Sequence, residues 1–297
     1  MSQPHPSARP RHDAQARLRR VEGRHNSLVK ELRSAFSHAE LTEAGDCAIE
    51  GLRIVEEAIR SGLRLHAVFF SESAETRAER LLPQIGAHVE TVVLPDKLFG
   101  SVVPSETPQG VAALVRYRQN SFEDVLAKIE AGPLVAVAGL QDPGNLGTIL
   151  RSAEAFGAVG VLLGEGTVSP FNPKVVRGSA GSIFRLPVVR VKLGEALVKL
   201  REQGVRLVAT SSHKGVALPA ANLAGPIAVF IGGEGAGVPR DLLAKMDDIV
   251  AIPHTPQVES LNAGVAASIV LYEIRKQAST TEARRHGENA ESKSPQT

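Results

Sequence analysis

The chain has 297 residues, 43% of them hydrophobic and 22% charged, with a formal net charge of +2 and a single cysteine, Cys47. That is enough apolar material for one large or two ordinary domains, and too little cysteine for a disulfide framework or a Cys-rich zinc site. No apolar run approaches the roughly 20 residues of a membrane helix, and the N-terminus lacks the apolar stretch of a secretory signal, so a cytoplasmic protein without a membrane partner is expected.

The charge is uneven. Arg9, Arg11, Arg17, Arg19, Arg20, Arg24, Lys30 and Arg33 stand against Asp13, Glu22 and Glu31. Residues 1–22 are expected to form a disordered basic arm of the kind that contacts a phosphate backbone. From there, Leu28, Val29, Leu32 and Phe36 fall at helical spacing, and Leu52, Val55, Ala58 and Ile59 mark a second helix that Gly62 ends. A strand at 65–70, a helix at 74–86 and strands at 88–94 and 110–117 complete a small α/β domain over 23–117. Residues 118–131 read as a linker.

A second α/β series fills 132–277. It runs strand 134–140, helix from Asn145, strand 159–163, helix 172–184, strand 187–191, helix 194–203 and strand 205–210. Strand 227–231 then empties into the glycine turn Gly232, Gly233, Gly235, Gly237; a short helix, strand 249–252 and a helix of small residues follow. The alternation implies a mostly parallel sheet covered on both faces. The tail 278–297 has no apolar period and is expected to be disordered.

Stock chemistry is largely excluded. There is no GxxxxGK[ST] and no HExxH, and the nine histidines show no metal-ligand spacing, so no metal is expected. The turn at 233–237 satisfies GxGxG after a strand, yet it lies near the C-terminus with one clear strand remaining, where a Rossmann fingerprint opens the first βαβ unit. Upstream, Asp142-Pro143-Gly144 signals a turn, with Asn145 as the expected helix N-cap. Leu146, Ile149, Leu150, Ala153 and Phe156 mark the apolar face, Gly157 ends the helix, and Arg151 lies about 140° around the wheel from Leu146, off that face.

Three segments, NLGTILRSAEAFG (145–157), IGGEGAGVP (231–239) and IP-x5-ESLNAGVAASI (252–269), together resemble the SpoU (TrmH-like) RNA ribose 2′-O-methyltransferases of the SPOUT superfamily. The N-terminal unit resembles that family's L30e-like substrate-binding domain, on RHNSLVKELRS, the helix after Glu50-Gly51, and TPQGVAALV. The resemblance implies an α/β fold with a C-terminal trefoil-knot domain, S-adenosyl-L-methionine as methyl donor, a homodimer, and RNA as partner, ribosomal RNA favoured over transfer RNA. It places Gly232, Ile252 and Leu261 against the adenosine, with Gly233 and Gly235 keeping the turn open and Asn262 also at the cofactor. It assigns Asn145, Arg151, Glu234, Ser260 and Asn262 to catalysis: Arg151 as base or positioner, Glu234 accepting from loop N–H groups or pairing with Arg151, Ser260 also able to cap the last helix. Ala263, Gly264, Ala266 and Ala267 would permit close helix approach. His254, Thr255 and Pro256 depart from the apolar residue and glycine expected after Ile252-Pro253. Arg24, Lys30, Arg33, Lys174 and Arg177 are candidate phosphate contacts, with RNA expected to approach across both domains. A non-catalytic RNA-binding factor on the same fold needs the basic surface but not Arg151, Glu234 and Asn262 together.

Overall fold

The computed structural model describes the backbone of residues 17–291 and the side chains of 17–280. It divides into two compact units. The first contains β1 (Arg19–Arg20), α1 (Ser27–His38), β2 (Asp46–Glu50), α2 (Leu52–Arg60), β3 (Leu65–Ser71), α3 (Glu75–Leu81), β4 (Glu90–Leu94), α4 (Asp96–Val102) and β5 (Val111–Arg116). Its five strands run in the order β1-β4-β3-β5-β2, with β5 antiparallel to both neighbours. The second contains α5 (Phe122–Leu126), β6 (Leu134–Ala138), α6 (Pro143–Ala155), β7 (Gly160–Leu163), β8 (Val188–Arg190), α8 (Leu193–Glu202), β9 (Arg206–Ser211), β10 (Val216–Ala217), β11 (Ile227–Gly232), α9 (Arg240–Leu243), β12 (Asp248–Ala251) and α10 (Ala263–Glu291). Between β7 and β8, residues Phe171–Phe184 pack with the first unit, α7 (Pro173–Gly178) among them.

Four expectations need correction. The basic arm is ordered from Arg17: its guanidinium donates to the carbonyls of Leu82, Ile85 and Gly86, while β1 pairs with β4 and Val21 is buried. Arg19 pairs with Glu90 and Arg20 with Glu72 and Glu75, so these three arginines have partners within the chain; residues 1–16 of the expected arm lie outside the described residues. The helix expected at 74–86 is only α3, flanked by 3-10 turns at Glu72–Ala74 and Leu82–Gln84, because Pro83 lacks the amide to continue it. That expected at 172–184 ends at Gly178, where Ala180 (φ 50°) and Gly181 (φ 90°) break the helical path. Finally, α10 runs on to Glu291, through most of the tail expected to lack order.

The edge strand β2 shows no apolar alternation, because its ends are acidic and all five residues are buried. Each buried carboxylate has partners that compensate its desolvation. Arg116 Nε and His66 Nδ1 donate to Asp46 at 2.7 and 2.8 Å. Ser105 Oγ donates to Glu50 at 2.7 Å, and Arg177 lies 3.9 Å away. Between them Cys47 is buried, and desolvation pushes its thiol up to about 12, so it is no nucleophile.

In the second unit all pairings of the seven-stranded sheet are parallel, in the order β10-β12-β9-β11-β6-β7-β8. The central strands β6 and β11 are buried throughout, as an apolar run covered on both faces must be. Late in the chain, Gln277 tethers α10: its Oε1 accepts from Leu223 N at 3.0 Å, and its Nε2 donates to Ala221 O at 3.1 Å. Among the described residues no helix is long and apolar enough to cross a membrane.

Burial raises the Glu50 carboxyl above its ordinary 4.5, against the opposing pull of Ser105 and Arg177. A carboxyl raised on folding favours the folded state fully while protonated and loses that contribution as pH climbs through its folded pKa. Glu50→Gln is therefore expected to gain stability relative to wild type as pH rises from 4.5 upward, read by denaturant unfolding across that range. A difference that is flat or shrinks with pH would contradict this account.

Candidate functional site

The sheet order reverses between β6 and β11: β6 leads outward to β7, and β11 leads the other way to β12. Ligands of open α/β sheets bind outside the carboxyl ends of strands at such a switch point. Here Gly232 stands in register with Ala138, and Gly233 N donates to Ala138 O at 3.0 Å. A Cβ on Gly233 would fall 2.6 Å from Gly139 O, so only glycine fits between the two turns. The glycine turn then closes on itself, Gly237 N donating to Gly233 O at 3.0 Å. Gly235 (φ 74°) and Gly237 (φ 66°) adopt backbone that L side chains rarely take, with nothing within 4 Å of where a Cβ would stand. That open, backbone-lined edge suits a ligand that must approach the main chain closely.

Helix α6 enters the same crevice. Its N-cap is Asp142, not the expected Asn145: Asp142 Oδ1 accepts from Asn145 N at 2.7 Å, and Pro143 takes the first helical position. Asn145 is thus the third helical residue, and its side chain is released for another task. It is 8% exposed, and its Nδ2 donates to Glu234 Oε1, joining the first motif to the glycine turn. Glu234 therefore bonds Asn145, and among the described residues no hydrogen bond or ion pair links it to Arg151. Arg151 is exposed about two turns into α6.

The third motif supplies a second helix start. Asn262 caps α10, its Oδ1 accepting from Val265 N at 3.1 Å, so the capping role offered to Ser260 falls to Asn262 instead. Ser260 is exposed in the preceding coil and Leu261 is half-buried. Helices α6 and α10 pack in parallel and in register. Gly264 lies against Thr148, Ser152 and Ser268 hydroxyls meet at 2.6 Å, and the Phe156 and Tyr272 rings meet edge to face at 5.9 Å. Successive contacts advance four residues on both helices, the i±4 ridge pattern. Ser268 Oγ donates to Gly264 O at 2.7 Å and so accepts from Ser152. Of the small residues expected to allow close approach, Gly264 makes the contact and Ala267 is fully buried. Both helix N-termini, with their partial positive charge, point to one end of the crevice.

Ile252 follows the end of β12 and is half-buried. His254 Nδ1 donates to Ile252 O at 2.7 Å, and its ring stands 5.7 Å from that of His213, which follows β9. The departure at His254 thus brings the loop after β12 beside the loop after β9. Its partner His213 carried no sequence signal, because the two meet only through the pairing of β9 with β12. Asp142 was legible as a turn residue but not as the cap. Elsewhere, Glu31, Asp46 and His66 lie within 4.8 Å of one another, but both Asp46 oxygens already accept from Arg116 and His66.

Two parallel helix starts and a glycine turn at a strand-order reversal define an α/β enzyme with a crevice for an anionic or nucleotide-like ligand. Comparison with known proteins narrows the class. Residues 133–272 match the model of the SpoU rRNA Methylase family, and residues 26–113 that of the MRM3-like substrate binding domain. The chain is 33% identical to the Bacillus subtilis 23S rRNA (guanosine(2553)-2′-O)-methyltransferase RlmP, over 87% of its own length and 100% of the relative's. It superposes on an AdoMet-bound rRNA methyltransferase from Sinorhizobium meliloti with a TM-score of 0.75 at 28% identity, covering 88% of this chain and 98% of that one. The SpoU methyltransferase AviRb from Streptomyces viridochromogenes, in complex with AdoMet, gives 0.74 at 27%, covering 85% and 98%. The chain belongs to the SpoU rRNA methylase family.

A Cβ on Gly264 would meet Thr148 Cβ at 3.0 Å and Cγ2 at 3.1 Å. Gly264→Val is therefore expected to wedge α6 from α10 and cost about 1–3 kcal/mol, measured by urea unfolding. A variant as stable as wild type would show that the two helices are free to part.

Proposed function

We propose that this chain uses S-adenosyl-L-methionine to methylate a ribose 2′-hydroxyl of large-subunit ribosomal RNA, and that it does so as a homodimer. The observation that carries the reading is the Asn145–Glu234 hydrogen bond, which ties the first motif to the glycine turn inside one crevice. Support for the target comes from RlmP, a 23S rRNA 2′-O-methyltransferase aligned over its whole length.

The glycine turn, with Gly232, Gly233 and Gly235, would hold the adenosine end through main-chain groups, and Ile252 and Leu261 would supply apolar contact. Its open edge at Gly235 and Gly237 fits a group that close. The bound donor supplies a methyl carbon activated by a sulfonium leaving group, so the chain's task is alignment. Asn145 and Glu234 fix each other's orientation. Asn262 spends Oδ1 on its cap and keeps its Nδ2 for the site. Arg151 positions the ribose and its adjoining phosphate: a guanidinium stays protonated and offers forked donors, which suits anion contact and charge stabilisation and not proton acceptance. Ser260 lines the approach from the coil before α10.

Ribose methylation is to be mapped in total RNA from cells with and without the gene. Loss of a 2′-O-methyl site in large-subunit ribosomal RNA is expected; loss confined to transfer RNA, or no loss, would refute the proposal. In the purified protein, Arg151→Ala is expected to lower methyl transfer by roughly a hundredfold or more while donor binding persists, with Arg151→Lys restoring little.

The homodimer rests on an apolar stripe along α10. Val265, Ile269 and Tyr272 are 47%, 37% and 56% exposed at a spacing that places them on one helical face. A second copy would cover it. Ile269→Asp is expected to shift the protein to monomer in sedimentation; a wild-type protein already monomeric at micromolar concentration would overturn this.

A further inference from the structure

Thr167 is one of the few buried polar side chains in the second unit, at 6% exposure, and none of the three motifs contains it. It sits in the turn after β7, and its hydroxyl is used in both directions. Oγ1 donates to Val137 O at 3.3 Å and accepts from Gly139 N at 3.2 Å. Those two residues flank the carboxyl end of β6. Around this clasp, Gly164 N also donates to Val137 O at 2.9 Å, and Val168 N donates to Leu140 O at 2.8 Å. Arg190 Nη1 braces the turn from β8, donating to Thr167 O at 3.4 Å.

The clasped segment leads directly to the site. Gly139 is held at φ 68°, in the left-handed region. Its carbonyl is the surface against which Gly233 packs, with no room for a Cβ between them. Three residues after Gly139 comes Asp142, which caps α6 and so sets Asn145; the residue after Gly233 is Glu234, to which Asn145 is bonded. The path from β6 to Asn145 runs along a backbone that Thr167 holds, and Gly233, the neighbour of Glu234, packs against that same backbone.

We infer that Thr167 is a positioning residue for methyl transfer, acting through the Gly139 turn on Asn145 and Glu234 without touching substrate or donor. The inference rests on the proposed reaction. Its chemical content is narrow: the hydroxyl, not the volume of the side chain, matters, because the half-buried Gly139 N–H has no other acceptor in the clasp. Val is the near-isostere that removes the hydroxyl, and Ser the variant that keeps it.

Full-length protein carrying Thr167→Val or Thr167→Ser is to be assayed for methyl transfer to ribosomal RNA, for S-adenosylmethionine binding by calorimetry, and for folded fraction by circular dichroism. Thr167→Val is expected to lower kcat roughly ten- to a hundredfold, with the KM for RNA changed by less than about twofold and the folded fraction intact. Thr167→Ser is expected to recover kcat to within about threefold of wild type. Wild-type kcat in Thr167→Val would overturn the inference, as would a loss that Ser fails to rescue or one that tracks an unfolded fraction. Absence of transfer by the wild-type protein itself would instead refute the proposed reaction, which separates the two failures.

Discussion

The site depends on one packing constraint: α6 and α10 lie parallel and in register, and they do so because Gly264 lets Thr148 come against the α10 backbone. Residues more than a hundred positions apart in sequence are thereby brought to the same level. The four-residue steps from Thr148–Gly264 through Ser152–Ser268 to Phe156–Tyr272 leave no slack for one helix to slide past the other. Registration at the contact fixes registration at the helix starts, where Asp142 caps one and Asn262 the other. The crevice is then shaped by main chain: two capped N-termini on one side and a turn with room only for glycine on the other. A backbone-lined edge made this way needs few side chains of its own.

Much of this was legible in the chain. Alternating strand and helix patterns located most elements of the second unit, and three short motifs identified its family, because each preserves residues that backbone geometry or chemistry demands. What escaped notice was set by contacts distant in sequence. Asn145 reads as a cap from local signals, since Asp-Pro-Gly-Asn offers two candidates; only its partner Glu234, 89 residues away, shows why Asp142 must take the cap. Thr167 is one threonine in an unremarkable loop until β6 and β7 are paired. Strand β2 lacked alternation because its carboxylates are satisfied by Arg116, His66 and Ser105, from other parts of the unit. The arginines at positions 17, 19 and 20 read as part of a disordered, phosphate-contacting arm, and they are instead stitched to β4 and its surroundings.

The two units use polar groups differently. In the first, buried carboxylates on an edge strand are compensated one by one, and this costs desolvation that shows in the raised Glu50. In the second, the few buried polar side chains, Asn145 and Thr167 among them, are each engaged with the main chain or the turn at the switch point. Arg151 on α6 and Glu234 in the glycine turn are both exposed, in contrast to the buried carboxylates of β2.

The Gln277 tether has a consequence for the order in which competence arises during synthesis. Motif one is made well before the glycine turn, and Asn262, Gly264, Ser268 and the Gln277 anchor to Ala221 and Leu223 come after both. A nascent or truncated chain that stops before them has a sheet and a glycine loop but no second helix start and nothing to hold α6 in register. The paired helix starts therefore form only when the segment from Asn262 onward is in place to set the register of α6.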